Sequence, residues 1–189
     1  MSEPGGLPLA LTLGEPAGIG PELTIRIWRR RRELRLPPFY LVGDPDFVRD
    51  RARQLGSEIA LSTVTPAQAA DVFPRALPVV PLQMPVTAAT GKPDESSAPA
   101  AIASIRRAVS DVLAGQAAGI VTNPVAKNVL YRSGFAEPGH TEFLAKLVEE
   151  ATGKASRPVM MLWSPELAVV PVTIHLPLKD VVSRLTFEL

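Results

Sequence analysis

The feature that most constrains the fold lies near the start of the chain. An apolar run over residues 7–13 breaks into Gly14-Glu15-Pro16-Ala17-Gly18-Ile19-Gly20 and is followed by Pro21 and Glu22. A short apolar run closed by glycine suits a buried strand. Glycines let the backbone turn tightly or approach a ligand, and proline suits a first helical turn, where its missing N–H is orphaned anyway. The chain therefore opens as strand, tight turn and helix, with that helix expected to run to about Leu34. The alternation then repeats: residues 39–42 read as strand, 46–55 as helix and 59–64 as strand. Residues 98–114 have helical spacing, with Ile102, Ile105, Val109 and Val112 on one face. Residues 119–122 read as a strand edge, 126–132 as a short helix, 141–152 as an amphipathic helix, 158–163 and 167–174 as strands, and 180–189 as the start of a helix. Between Pro66 and Gly91 the pattern weakens, and Pro78, Pro81 and Pro85 favour extended or edge segments. Strands alternating with helices predict an α/β fold with a largely parallel sheet, in which functional groups collect where strands end and helices begin.

Composition narrows the function. The 189 residues are 46% hydrophobic, and 20 Lys and Arg face 19 Asp and Glu, leaving a net charge of +1. Such a balance gives no field to draw in nucleic acid or a membrane surface, so the expected partners are a small molecule or another copy of the chain. The absence of cysteine excludes disulfides, a thiolate nucleophile and thiolate metal sites. A metal here would rest on Asp, Glu or the two histidines, His140 and His175. The run Arg29-Arg30-Arg31-Arg32, with Arg26 and Arg35 nearby, points all around a helix and reads as a solvated face rather than a nucleic-acid site. The first residues do not read as a signal peptide, and no apolar run is long enough to cross a bilayer, so a cytoplasmic protein is expected.

Four places could carry chemistry. The Gly14–Glu22 turn lacks the spacing of a dinucleotide fingerprint and the Gly-Lys-Ser/Thr of an ATPase loop; it is either a ligand-approaching loop or a tight turn. Thr122, Asn123 and Lys127 could present a hydroxyl, an amide and an ammonium to one anion, or form a helix cap beside a surface lysine. In Pro138-Gly139-His140-Thr141-Glu142, His140 and Thr141 stand at a helix start, where an anion is favoured; alternatively Thr141 caps the helix and His140 is a loop residue. His175 ends an apolar run just before a helix and is placed to line a crevice. A catalytic metal takes about three protein ligands, so two histidines cannot build a histidine-rich site alone.

Taken together, GEPAGIGPE, VTNPVAK, PGHTEFLA and HLPLKDV resemble, in order and approximate spacing, the 4-hydroxythreonine-4-phosphate dehydrogenase family, over essentially the whole chain. The resemblance implies a two-lobed α/β/α dehydrogenase similar in fold to the isocitrate and isopropylmalate dehydrogenases. The expected layout is a first α/β lobe over residues 1–122, lacking its C-terminal return, and the truncated beginning of a second lobe over 123–189. It further implies a homodimer with an active site shared between subunits. The implied reaction is NAD- or NADP-dependent oxidation of 4-phosphooxy-L-threonine to 2-amino-3-oxo-4-phosphooxybutanoate. That product loses carbon dioxide to give 3-amino-2-oxopropyl phosphate, in pyridoxal phosphate synthesis. A divalent metal is implied, zinc or alternatively magnesium or cobalt. By motif, His140 and Thr141 would bind substrate and His175 would be the first of three metal-ligating histidines. The other two, with most of the nicotinamide site, belong to downstream motifs not present in these residues. Asn123 and Lys127 are expected as further polar contacts to substrate. Two alternatives stay open: an inactive truncated family member, or a dehydrogenase of another phosphorylated hydroxy acid. Incomplete lobes would leave apolar faces uncovered.

Overall fold

The computed structural model describes residues 6–137, 139–173 and 176–185. Five strands, β1 (Leu9–Thr12), β2 (Phe39–Gly43), β3 (Leu61–Thr63), β4 (Leu77–Pro81) and β5 (Gly119–Val121), form one sheet in the order β3-β4-β2-β1-β5. Every pairing in it is parallel; Leu9 sits opposite Phe39 on one side and Gly119 on the other. Parallel sheets need crossover helices, which cover both faces and leave the inner strands apolar throughout. All five residues of β2 are buried accordingly.

Period-two alternation divides the core between the faces. Leu11, Leu41 and Val79 pack with Ile25 and Trp28 of α1 (Gly20–Arg29) and with Phe47, Val48 and Ala52 of α2 (Pro45–Gln54). Ala10, Tyr40, Val42 and Val80 point the other way, toward Ala108 of α4 (Ala98–Leu113) and Ala69 of the single-turn α3 (Ala69–Val72). Each such large aliphatic side chain contributes roughly 1.5–3 kcal/mol on burial. The long α4 is apolar on a second side as well. There Ala98 and Ala101 meet Val129 and Leu130 of α5 (Lys127–Arg132), while Ile105 and Val109 meet Phe143 and Leu147 of α6 (His140–Thr152). The layers are thus helix, sheet and helix, with α5 and α6 stacked outside α4.

Local chemistry sets the element ends. Asp44 caps α2 by accepting the Asp46 N–H at 2.9 Å, and its other oxygen accepts the Val86 N–H at 2.9 Å. Gly153 stops α6 in the left-handed conformation that favours glycine. Regular α-helix in α1 ends at Arg29, short of the expected Leu34, and the chain continues in turns. Arg35 closes them at φ 50°, and Leu36 N–H reaches back to Arg31 O at 2.9 Å.

Two expectations are corrected. The proline-rich stretch after Pro66 does hold an extended segment, β4, but not an edge: β4 lies inside the sheet, between β3 and β2. Its prolines fit because neighbours are staggered. Pairing with β2 begins at Val79, one residue after Pro78, and pairing with β3 ends at Val79, before Pro81. Neither proline therefore removes a bond that the ladder requires. Over the described residues, the strands expected at 158–163 and 167–174 shrink to a two-residue antiparallel pair, β6 (Leu162–Trp163) with β7 (Ala168–Val169); residue 174 lies outside the described residues. All four of these residues are exposed, as is most of the last helix, α7 (Leu178–Arg184), so no packed face holds longer strands in register.

Candidate functional site

β1 and β5 are neighbours, so the segments leaving their carboxyl ends lie side by side. The Glu15 N–H donates to Pro124 O at 2.8 Å and fuses the two loops. Asn123 is the hub. Its backbone N–H donates to the Thr12 hydroxyl at 3.1 Å, and its side-chain nitrogen donates to Thr12 O at 2.9 Å and the Thr24 hydroxyl at 3.0 Å. Glycine is required on both sides of it. Gly14 has φ +70°, and a Cβ there would stand 2.6 Å from Pro124 O; a Cβ on Gly20 would stand 2.9 Å from Leu13 O. The amide nitrogen of Asn123 is therefore spent on the fold, and its side chain is buried. Thr122, at the strand end, is exposed.

Beneath this turn lies a residue that sequence reading missed. Arg51 of α2 is only 2% exposed. Its Nη2 donates to Pro16 O at 3.0 Å, and its guanidinium lies 5.3 Å from the Phe47 ring centre. Burial lowers its pKa, against an opposing effect of Glu22. Nη1 of Arg51 and Oε2 of Glu15 are both buried without a hydrogen-bond partner among the described residues, while Oε1 of Glu15 accepts the Ala17 N–H at 3.0 Å. The available signal was periodicity: Arg51 follows Phe47 by four residues on a helix, a core-facing position.

The second group forms where α5 meets α6. Gly139 is the N-cap of α6 and supplies no side chain, leaving His140 and Thr141 as the first helical residues. Lys127 begins α5 and comes close: its Nζ would lie 4.0 Å from a Cβ on Gly139, and the Glu142 carboxylate 3.0 Å from the same point. Lys127, Tyr131, Glu137, Gly139, His140 and Phe143 line a cavity of about 10 Å³. Nε2 of His140 is buried with no hydrogen-bond partner among the described residues. Burial first, and then the Lys127 ammonium, hold its pKa below the ordinary 6.5, so the ring is neutral at pH 7. Thr141 is exposed. The structure thus brings together Lys127, His140 and Thr141, places Asn123 in the scaffold, and leaves His175 outside the described residues. Among the described residues no group of three His, Asp or Glu side chains could hold a metal ion.

The arginine run behaves as a helix face. Arg30 pairs with Glu33, Arg29 donates to the Ser57 hydroxyl at 3.0 Å, and Arg31 stacks 3.9 Å over the Trp28 ring and donates to Pro74 O. No helix among the described residues is long and apolar enough to cross a membrane.

A parallel sheet covered on both faces, with polar loops gathered at the carboxyl ends of adjacent strands, defines a protein of the α/β class. The chain belongs to the family of the pyridoxal phosphate biosynthetic protein PdxA, whose model matches residues 35–189. It is 57% identical over 197 aligned positions to a 4-hydroxythreonine-4-phosphate dehydrogenase of Bradyrhizobium diazoefficiens, covering 100% of this chain and 57% of that protein. It is 52% identical to the protein of the same name from Xanthobacter autotrophicus, covering 96% of this chain and 52% of that one. The fold is also that of a Burkholderia phymatum 4-hydroxythreonine-4-phosphate dehydrogenase crystal structure, with a TM-score of 0.81 at 24% identity, over 95% of this chain and 53% of that one. The chain spans about half the length of the curated relatives it matches.

Proposed function

We propose that this chain carries part of the substrate site of a 4-hydroxythreonine-4-phosphate dehydrogenase, an enzyme of pyridoxal phosphate synthesis. The observation that carries the reading is the convergence of His140, Lys127 and the uncapped start of α6 at one point, in a chain 57% identical to a protein of that name. The reaction removes a hydride from the substrate carbinol carbon to NAD or NADP and a proton from its hydroxyl, and the resulting 3-oxo acid loses carbon dioxide. His140 and Thr141 bind and orient the phosphorylated amino acid, and such positioning is a large part of a rate enhancement. The neutral His140 ring offers one hydrogen bond per nitrogen without adding charge. Asn123 serves this site indirectly by fixing the end of β5 from which α5 departs.

The proposal includes a divalent cation, zinc or alternatively magnesium or cobalt, with His175 as one ligand, and a homodimer in the cytoplasm whose subunits share the site. The described residues do not by themselves assemble a metal site, so no step is derived through the cation. The test is reduced-nicotinamide production from 4-phosphooxy-L-threonine by the 189-residue chain with zinc added. Turnover that is abolished in His140→Gln supports the reading. Background rates together with no binding of the substrate by calorimetry would overturn it.

A further inference from the structure

The β1–β2 ladder stops one rung early, and a side chain from α4 occupies the place of the missing bond. The Leu9 N–H donates to Pro38 O at 2.9 Å, and the register runs from Leu9 opposite Phe39 to Thr12 opposite Val42. In a parallel pair such bonds recur at every second residue, so Leu11 N–H faces Tyr40 O and the next rung would join Leu13 N–H to Val42 O. Instead the Leu13 N–H donates to the Ser104 hydroxyl at 2.8 Å, and that hydroxyl donates to Val42 O at 2.8 Å. Two bonds meeting at one oxygen hold the strand ends roughly 1.5–2 Å farther apart than a direct bond does. Ser104 is wholly buried. Hydroxyls in helices have a local alternative, which Thr24 and Thr152 take by donating to the carbonyls four residues back, Gly20 O at 2.9 Å and Val148 O at 2.8 Å. For Ser104 that alternative is Ala100 O.

The widened end is where the Gly14–Gly20 turn begins, and there the Glu15 N–H reaches away from β2 to Pro124 O, beyond β5, at 2.8 Å. We propose that Ser104 is a latch with two settings that fixes where this turn sits. In the setting observed, its hydroxyl holds the last rung open and the turn lies against β5. In the other, the hydroxyl swings to Ala100 O, the Leu13 N–H closes directly onto Val42 O, and β1 zips to β2 by one more rung, drawing the turn off β5. Leu13 N–H, Val42 O and the Ser104 hydroxyl are paired in both settings, so neither leaves them as buried orphans. Release costs the Glu15–Pro124 bond, which makes the observed setting the more populated. Ile105, the next residue of α4, packs on Phe143 of α6, so the latch also ties the turn to the helix that begins at His140. A ligand that touches the turn meets the two settings with different contacts and shifts their populations. The latch is independent of whether His140 binds substrate.

The test uses scalar couplings across hydrogen bonds and amide hydrogen exchange on the 189-residue chain. In the unmodified chain a coupling is expected from the Leu11 nitrogen to the Tyr40 carbonyl carbon, and none from the Leu13 nitrogen to that of Val42. In Ser104→Ala the Leu13–Val42 coupling should appear. Exchange at the Glu15 amide should then accelerate roughly tenfold relative to Leu11, as for the loss of one hydrogen bond. Ser104→Thr keeps a hydroxyl and should restore the unmodified pattern. Ser104→Cys fills the space with a weak donor; it should give the Ser104→Ala readings, and it serves in place of that variant if Ser104→Ala does not fold. A serine that merely adds stability predicts something else: faster exchange spread evenly over β1, β2 and the turn, with no Leu13–Val42 coupling in either variant. That result overturns the latch. A Leu13–Val42 coupling already present in the unmodified chain overturns it as well, because the rung would then be closed from the start.

Discussion

The side-chain nitrogen of Asn123 donates to the Thr24 hydroxyl at 3.0 Å, joining the exit of β5 to the first helix across 99 positions of chain. The same nitrogen donates to Thr12 O, so one buried amide satisfies two acceptors. Asn123→Ala strips both, and buried acceptors left without donors cost about 1–3 kcal/mol each when nothing replaces the bond. A destabilisation of roughly 2–4 kcal/mol by urea unfolding is expected. A loss under about 0.5 kcal/mol, the range of an ordinary surface change, would show that Asn123 is not the hub described.

Gly14 and Gly134 both have positive φ, 70° and 85°, but differ in surroundings. A Cβ on Gly14 would collide with Pro124 O and Asn123 Cβ, whereas nothing lies within 4 Å of one on Gly134. Gly134→Ala should cost about 1–2 kcal/mol, the left-handed penalty alone. Gly14→Ala should cost several kcal/mol more and shift amide resonances in residues 122–126, because β5 must move away. Equal losses for the two variants would contradict the packing argument.

Arg35 takes a left-handed conformation at the end of the turns that follow α1, where glycine is the usual residue. Arg35→Gly relieves that penalty and adds chain entropy to the unfolded state. The balance favours the variant by a few tenths to about 1 kcal/mol. The thermal midpoint of the variant should therefore rise; a fall would mean that the Arg35 side chain makes a contact of larger value.

His140 has a folded pKa below its unfolded value, because burial and Lys127 both oppose its charge. Its contribution to stability is complete above the unfolded value near 6.5 and is lost as pH falls through the folded value, since the unfolded chain takes up the proton first. Denaturant midpoints of the unmodified chain should decline through the mildly acidic range faster than those of His140→Gln. Parallel curves would place the ring in free solvent.

The parallel α/β architecture was legible because the strands and helices carry different apolar periods. Residues 39–42, 46–55 and 98–114 match β2, α2 and α4 within about two residues at each end. The reading failed where tertiary context decides. The prolines of β4 looked incompatible with an interior strand, and only the stagger of β2 and β3 makes them tolerable. The valine-rich run over 167–174 reads as strand from its composition, but strand formation needs a partner surface, and β7 pairs over only two residues. At the candidate site, the helix starts that carry Lys127, His140 and Thr141 were readable from sequence, and α5 and α6 begin at Lys127 and His140. The scaffold role of Asn123 depends on residues 99 and 111 positions away and leaves no local mark. Arg51 was missed because charge normally marks an exposed position, and here the helical period overrides it.

The strand order also has a consequence in time. β1 is made first yet lies inside the sheet, flanked by β2 and by β5, and Thr12 meets Asn123 across 111 positions. On a ribosome adding about 5–20 residues per second, β1 keeps an unpaired edge for on the order of ten seconds. The Gly14–Gly20 turn cannot settle until Asn123 arrives, so the nascent chain should hold the sheet as β3-β4-β2-β1, with the β1 edge open where the finished sheet carries β5. That open side is the point at which a trigger-type chaperone or a stray strand would compete with β5.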